Sequence, residues 1–223
     1  MKIIAVDKSS ESILSKVGSF LTEDGLYPVV DIVRVDKEIY SSVKQALAES
    51  DKTIILGNGD TIHECFKACS SQNPGMIIFT ASPNIEFLKR ITNMKRGNLL
   101  LVGVRNLDVK QQNYIRENKI RLYPMKEIAL EGIREISDSV MAASKDFTEL
   151  YVSIDLGVVD PSAAPGVNFI APGGFSSREL LFFIHRLKNL RNLKVADIVG
   201  LNLEKDTNNL TLLLAAKIVT ELY

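Results

Sequence analysis

The stretch "SIDLGVVDPSAAPGVNFIAPGGFSSRE", Ser153 to Glu179, closes an apolar run with a carboxylate and then turns to small, polar and turn-forming residues. Asp155 ends the strand-like segment "ELYVSIDL" (149–156). Strand side chains alternate between faces, so residue 157 is where a second carboxylate would join Asp155. That residue is Gly157. A carboxylate at the end of a buried strand must be hydrogen-bonded, paired or metal-bound, because burying it alone is costly. Asp160, followed by Pro161, is a second candidate ligand and equally a turn start. Ser176 and Glu179 have capping-box spacing before "LLFFIHRL", so Glu179 reads first as a helix-start residue.

Working outward, apolar strand-like runs alternate with helical patterns along the whole chain. The runs are "KIIAV" (2–6), "YPVVDIVRV" (27–35), "KTIILG" (52–57), "GMIIFT" (75–80), "NLLLVGV" (98–104), "KIRLYP" (119–124), "ELYVSIDL" (149–156) and "KVADIVGL" (194–201). Several are almost wholly apolar, as strands buried on both faces are. Segments such as "IYSSVKQALAES" and "IALEGIREISDSVMAA" carry apolar residues every three or four positions. This alternation predicts an α/β fold with three layers, a mainly parallel sheet of about eight strands between two layers of helices. No Pro/Gly-rich linker or composition shift divides the 223 residues, so one domain over 1–223 is expected. The last helical run, "NNLTLLLAAKIVTEL", is apolar over much of its circumference and needs the sheet, a neighbouring subunit, or both to cover it.

Lysine plus arginine equals aspartate plus glutamate, 27 each, for a formal net charge of zero. Nucleic acid and anionic membrane surfaces are therefore poor partners, and self-association meets no charge barrier. No apolar run reaches membrane-spanning length and no signal-peptide pattern precedes "KIIAV", so a cytoplasmic protein is expected.

Sites in parallel sheets form beyond the carboxyl ends of the strands. There, "GNGDT" (57–61) lacks the last glycine of a dinucleotide fingerprint, and Asp60 would repel phosphate, so Asp60 or Thr61 is read as a helix cap. "TASPN" (80–84) reads as a tight turn and a helix start. Cys65 and Cys69, with His63 in "HECFKAC", lack the second pair of a metal motif and read as buried thiols. His185 lies in an apolar helix pattern and reads as a packed or surface histidine.

On these residues the chain resembles the ureohydrolases: arginase, agmatinase and formiminoglutamase. Their pattern, roughly S-x-D-x-D-x-x-D-P, then A-P-G, P-G-G and R-E, is met in register by Ser153, Asp155, Asp160, Pro161, Ala164, Pro165, Gly166, Pro172, Gly173, Gly174, Arg178 and Glu179. "VADIVGLNLEKDTNNLTLLLAAKIVTEL" looks like the agmatinase-type ending, and "LLLVGVRNLD" resembles the family's G-[IL]-R segment. The resemblance runs from about residue 52 to 222 and implies the arginase-like fold, a homo-oligomer (trimer or hexamer), and hydrolysis of a guanidinium compound to urea. Two manganese ions would activate a bridging hydroxide, held by four carboxylates and two histidines.

Carried over residue by residue, that ligand set is mostly absent. The family's G-G-D-H-S falls on "NGDTI", with Thr61 at the histidine. D-A-H-x-D falls on "TASPN", with Thr80, Ser82 and Asn84 at its three ligands. Asp155 keeps the first aspartate of the third motif, but Gly157 replaces the second, and Gly200 stands where a glutamate orients the guanidinium. The loop that carries the family's catalytic histidine is short and has no histidine.

The expectation is a ureohydrolase-family protein without a metal cofactor and without metal-dependent hydrolysis, a binding or regulatory pseudoenzyme with a possible small-molecule ligand. The alternative is a divergent hydrolase of a guanidino or amidino compound, with manganese on a rebuilt set of Asp155, Asp160, Asp60 and His63.

Overall fold

The structure, a computed structural model, describes residues 1–22, 25, 28, 31–35, 39–57, 61–68, 72–91 and 94–223, with 61–64 by their backbone alone. Eight strands form one sheet: β1 Lys2–Ala5, β2 Asp31–Arg34, β3 Thr53–Leu56, β4 Pro74–Phe79, β5 Leu99–Val104, β6 Arg121–Pro124, β7 Glu149–Asp155 and β8 Leu193–Val199. Each falls within or one residue beyond an apolar run of the sequence. The spatial order is β2-β1-β3-β8-β7-β4-β5-β6, and every neighbouring pair is parallel.

Nine α-helices among the described residues cover the two faces: α1 Lys8–Val17, α2 Ile39–Glu49, α3 Thr61–Ala68, α4 Ile85–Arg90, α5 Val109–Glu117, α6 Met125–Glu131, α7 Ile133–Ser144, α8 Ser177–Leu187 and α9 Leu210–Leu222. One apolar layer joins Ile54, Ile77, Val152 and Ala196 of the sheet to Ile13, Ile136, Phe183 and Ile218 of the helices. The other joins Ile55, Met76, Tyr151 and Val195 to Val43, Phe66, Leu88 and Ile115. The three-layer α/β fold expected from the alternation is present, with a sheet that is wholly parallel.

The apolar α9 is buried along most of its length within its own chain, where it packs on α1 and α8. From the sequence, the sheet or a neighbouring subunit is expected to cover this helix; the cover comes from its own chain, chiefly from α1 and α8. Among the described residues no helix is long and apolar enough to cross a membrane.

The chain leaves β3, forms β4, and only later inserts β7 and β8 between them. Connections therefore diverge at the carboxyl ends of β3, β8, β7 and β4, which opens a crevice where strand order reverses. Asp155 and Thr80 project at this point.

Candidate functional site

Tyr151, Ser153 and Asp155 occupy alternate positions of β7 and share the sheet face that packs under α3 and α4. Asp155 does not reach out as a ligand does. Its Oδ1 accepts the Gly157 N–H at 2.9 Å, which makes it the cap of the 3-10 turn Leu156–Val158. Its Oδ2 accepts the Thr80 hydroxyl at 2.9 Å. Burial raises the carboxyl above its ordinary range, against the Gly157 and Thr80 hydrogen bonds and the more distant Arg105. No salt bridge joins it to a cation among the described residues.

The two glycines are what make this arrangement possible. A Cβ on Gly200 would come within 2.7 Å of Asp155 Oδ1, and the Gly200 φ of +89° is itself strained for any other residue. A Cβ on Gly157 would lie 3.1 Å from the same oxygen. Both positions are therefore matched to a carboxylate folded back onto its own strand end.

Thr80 accepts the Ser82 N–H at 3.3 Å, and the Ser82 hydroxyl oxygen accepts from Gln111 Nε2 at 3.1 Å. Asn84 caps α4, its Oδ1 accepting the Phe87 N–H at 3.2 Å. The reading of "TASPN" as a turn and helix start thus describes what these residues do. A cleft of about 320 Å³ opens above them, lined by Thr80, Ser82, Asn84, Ser153, Asp155 and Gly200 among others.

Asp160 is engaged elsewhere. Oδ1 accepts from the Ser162 N–H and hydroxyl, and Oδ2 accepts the Gly173 N–H at 2.8 Å. These bonds bring its pKa down to about 2. It organises the loop between β7 and α8 and lines no part of the cleft. Glu179 completes a reciprocal capping box with Ser176 at the start of α8. Asp60 and Cys69 lie outside the described residues, as do the side chains of Thr61 and His63; Thr61 is the first residue of α3. Cys65 is buried. His185 is partly exposed and meets the buried Glu221 at 2.8 Å.

Two residues to which the sequence reading gave no role frame the site, although Arg105 ends the G-[IL]-R-like segment. The Arg105 guanidinium, at the end of β5, donates to the carbonyls of Gly157, Val158, Val159 and Ala171. It clamps the turn that Asp155 caps. The signal was a lone cation directly after an apolar strand, whose donors had to be used nearby. Asp197, fully buried in β8, accepts the Tyr151 hydroxyl at 2.6 Å and the Ser153 hydroxyl at 2.8 Å. Burial pushes its pKa up to about 7 in spite of these donors. Its signal was an aspartate inside "KVADIVGL", where only a polar partner on a neighbouring strand could compensate it.

Set beside known proteins, the chain has relatives in sequence and in fold. Residues 70–223, more than half of the chain, match the arginase family. The chain belongs to the arginase family. An arginase of Bacillus caldovelox is 31% identical over 131 residues, covering 58% of this chain and 44% of that one. A mitochondrial arginase 1 of rice is 28% identical over 218 residues, covering 97% of this chain and 60% of its own. The chain thus spans about half the length of the curated relatives it matches. In fold it is similar to an arginase of Bacillus subtilis, with a TM-score of 0.88 at 19% identity over 100% of this chain and 97% of the other. A formimidoylglutamase of the same species gives 0.87 at 19% identity over 99% and 85%.

The residues described at the crevice do not fit the manganese pair that the resemblance implies. Among them Asp155 is the one carboxylate lining the cleft from a strand end, and its two oxygens are turned onto Gly157 and Thr80. Hydroxyl and amide oxygens of Thr80, Ser82 and Asn84 are poor substitutes for carboxylate and imidazole ligands. Among the described residues no three His, Cys, Asp or Glu side chains gather as a metal group would need.

Proposed function

We propose that this arginase-family chain is a binding or regulatory pseudoenzyme, a ureohydrolase scaffold without metal-dependent hydrolysis. The observation that carries the reading is the state of Asp155. The one ligand position that keeps its carboxylate serves as a turn cap, bonded to Gly157 and Thr80 and given room by the missing side chain of Gly200. Thr80, Ser82, Asn84, Gly157 and Gly200, together with Thr61, are read as degenerate ligand or substrate positions. A site that has lost its cations is better served by neutral groups, because crowded carboxylates without a metal repel one another.

The competing hydrolase would have to recruit Asp160, whose oxygens already hold Ser162 and Gly173. We further propose a homo-oligomer built on a trimer. Family kinship and zero net charge support it, whereas α9, covered within its own chain, does not.

The test is to purify the full chain with manganese present, measure bound metal, and assay urea release from agmatine and arginine. Less than about one-tenth of a manganese ion per chain with no urea is expected. Two ions per chain with urea release would sink the reading and restore the hydrolase.

A further inference from the structure

We propose that the cleft above Asp155 binds a small organic ammonium ion, a protonated amine held by oxygen acceptors on the sheet floor. The inference deepens the metal-free reading of the site and rests on it.

The hydroxyl protons are already committed. A hydroxyl has one hydrogen to donate. That of Ser153 goes to Asp197 Oδ1 at 2.8 Å, and that of Thr80 goes to Asp155 Oδ2 at 2.9 Å. Asp197 also receives the Tyr151 hydroxyl at 2.6 Å, so it is the common acceptor of both β7 hydroxyls. Thr80 Oγ1 and the Asp155 carboxylate therefore face the cleft as acceptors, and Ser153 Oγ joins them when Asp197 is ionised.

Charge points the same way. Asp155 has two neutral donors and no cation paired to it among the described residues. The guanidinium whose charge reaches Asp155, Arg105, directs its hydrogen bonds to the carbonyls of Gly157, Val158, Val159 and Ala171 instead, and the other charged groups lining the cleft, Glu86 and Arg90 of α4, are one of each sign. Asp197 lies beneath the same strand ends and adds negative charge whenever it ionises. A partly buried carboxylate of this kind is best completed by a cation that also donates hydrogen bonds.

Size selects an organic ion. The cleft holds about 320 Å³, far more than a bare metal ion occupies and enough for an ammonium head with a short carbon chain. The walls supply that chain with Ile78, Phe87, Leu88 and Val199. Gly200 keeps the space beside Asp155 Oδ1 clear, since a Cβ there would approach to 2.7 Å.

The experiment is calorimetric titration of the full chain with four separate probes: n-butylammonium chloride, 1-butanol, sodium butyrate and manganese chloride. The expected result is n-butylammonium binding with a Kd of about 1 mM or tighter, at least tenfold better than butanol or butyrate. Asp155→Asn should weaken it about tenfold or more, because the charge is lost while the turn-capping oxygen is kept. Ser153→Ala, which retains the charge and removes one acceptor, should weaken it severalfold and serves as the readout if Asp155→Asn does not fold. Equal binding of butanol, or n-butylammonium binding unchanged in the variants, overturns the inference. Silence from both n-butylammonium and manganese overturns it while leaving the metal-free reading in place. Micromolar manganese binding overturns that reading instead.

Discussion

The Thr80 hydroxyl donates to Asp155 Oδ2 at 2.9 Å, and this bond joins the ends of the neighbouring parallel strands β4 and β7. Thr80 and Asp155 are both positions where the family resemblance places metal ligands. Here each satisfies the other. The pairing, and the buried groups around it, have measurable effects on stability and binding.

One such effect is a dependence on pH. Asp197 has a folded pKa of about 7 against 3.8 for the unfolded chain, because burial disfavours its charge. Between those values the folded state holds a proton that the unfolded state has released. Stability therefore falls as pH rises through the window, and Asp155, also shifted upward, contributes in the same direction. At about 1.4 kcal/mol per unit, Asp197 should cost ~2–3 kcal/mol between pH 5 and pH 7. Glu221 and Asp160 are shifted downward, so their contributions are lost only as pH falls below the ordinary carboxylate range. Urea unfolding across pH 5 to 7 should show the decline in the parent chain and a much flatter profile in Asp197→Asn. Parallel profiles would contradict the assignment.

Arg105 yields a stability prediction. Its side chain satisfies four carbonyls of the turn and loop that come after β7. Arg105→Ala leaves several of them partly buried and unpaired, at a cost of about 2–4 kcal/mol. Arg105→Lys should recover less than half, since an ammonium lacks the planar fork that reaches several acceptors at once. Thermal unfolding gives the first measure, and faster proteolytic cleavage within 160–175 the second. A lysine variant as stable as the parent would show that charge, not the fork, is what matters.

How much of this is legible in the sequence depends on how far apart the interacting residues are. The inner strands are readable because each is dominated by apolar residues, and the Ser176–Glu179 cap because its partners are three residues apart. The start of α4 at Asn84 is readable for the same reason. Asp197 is not, since its partners Tyr151 and Ser153 are supplied by β7 only once β8 inserts beside it. Arg105 stands plainly in "LLLVGVRNLD", but its role is hidden because its acceptors lie more than fifty residues away. Asp155 is legible as a carboxylate needing a partner. That the partner is Thr80, itself at a ligand position, emerges only from the register of β4 with β7.

Gly200 can be tested by what a single methyl group does. Its φ of +89° and the 2.7 Å approach to Asp155 Oδ1 should make Gly200→Ala lose about 2–4 kcal/mol. Part of that loss is backbone strain and part is the collision with the carboxylate. In an Asp155→Ala background the collision is gone, so the same substitution should cost at least ~1 kcal/mol less. A double-mutant cycle by urea unfolding measures the difference. Strict additivity would mean that Gly200 serves the backbone alone.

Gly157 poses the question of whether one residue separates this chain from a manganese enzyme. Gly157→Asp restores the second carboxylate of the opening stretch, yet its Cβ would arise 3.1 Å from Asp155 Oδ1, with no cation placed between the two acids. Thr80, Ser82 and Asn84 would still offer only hydroxyl and amide oxygens, and Asn84 Oδ1 would still be occupied with the Phe87 N–H. Adjacent carboxylates without a metal raise the pKa of one of them, so the folded state would hold a proton that the unfolded chain gives up. The variant should therefore lose stability relative to the parent more at pH 7 than at pH 5. Calorimetric titration should show no micromolar manganese binding, and agmatine and arginine should yield no urea. Metal uptake together with urea production by this one substitution would mean that the crevice is still organised for two ions, with Asp155 able to turn away from Gly157 once a cation is offered.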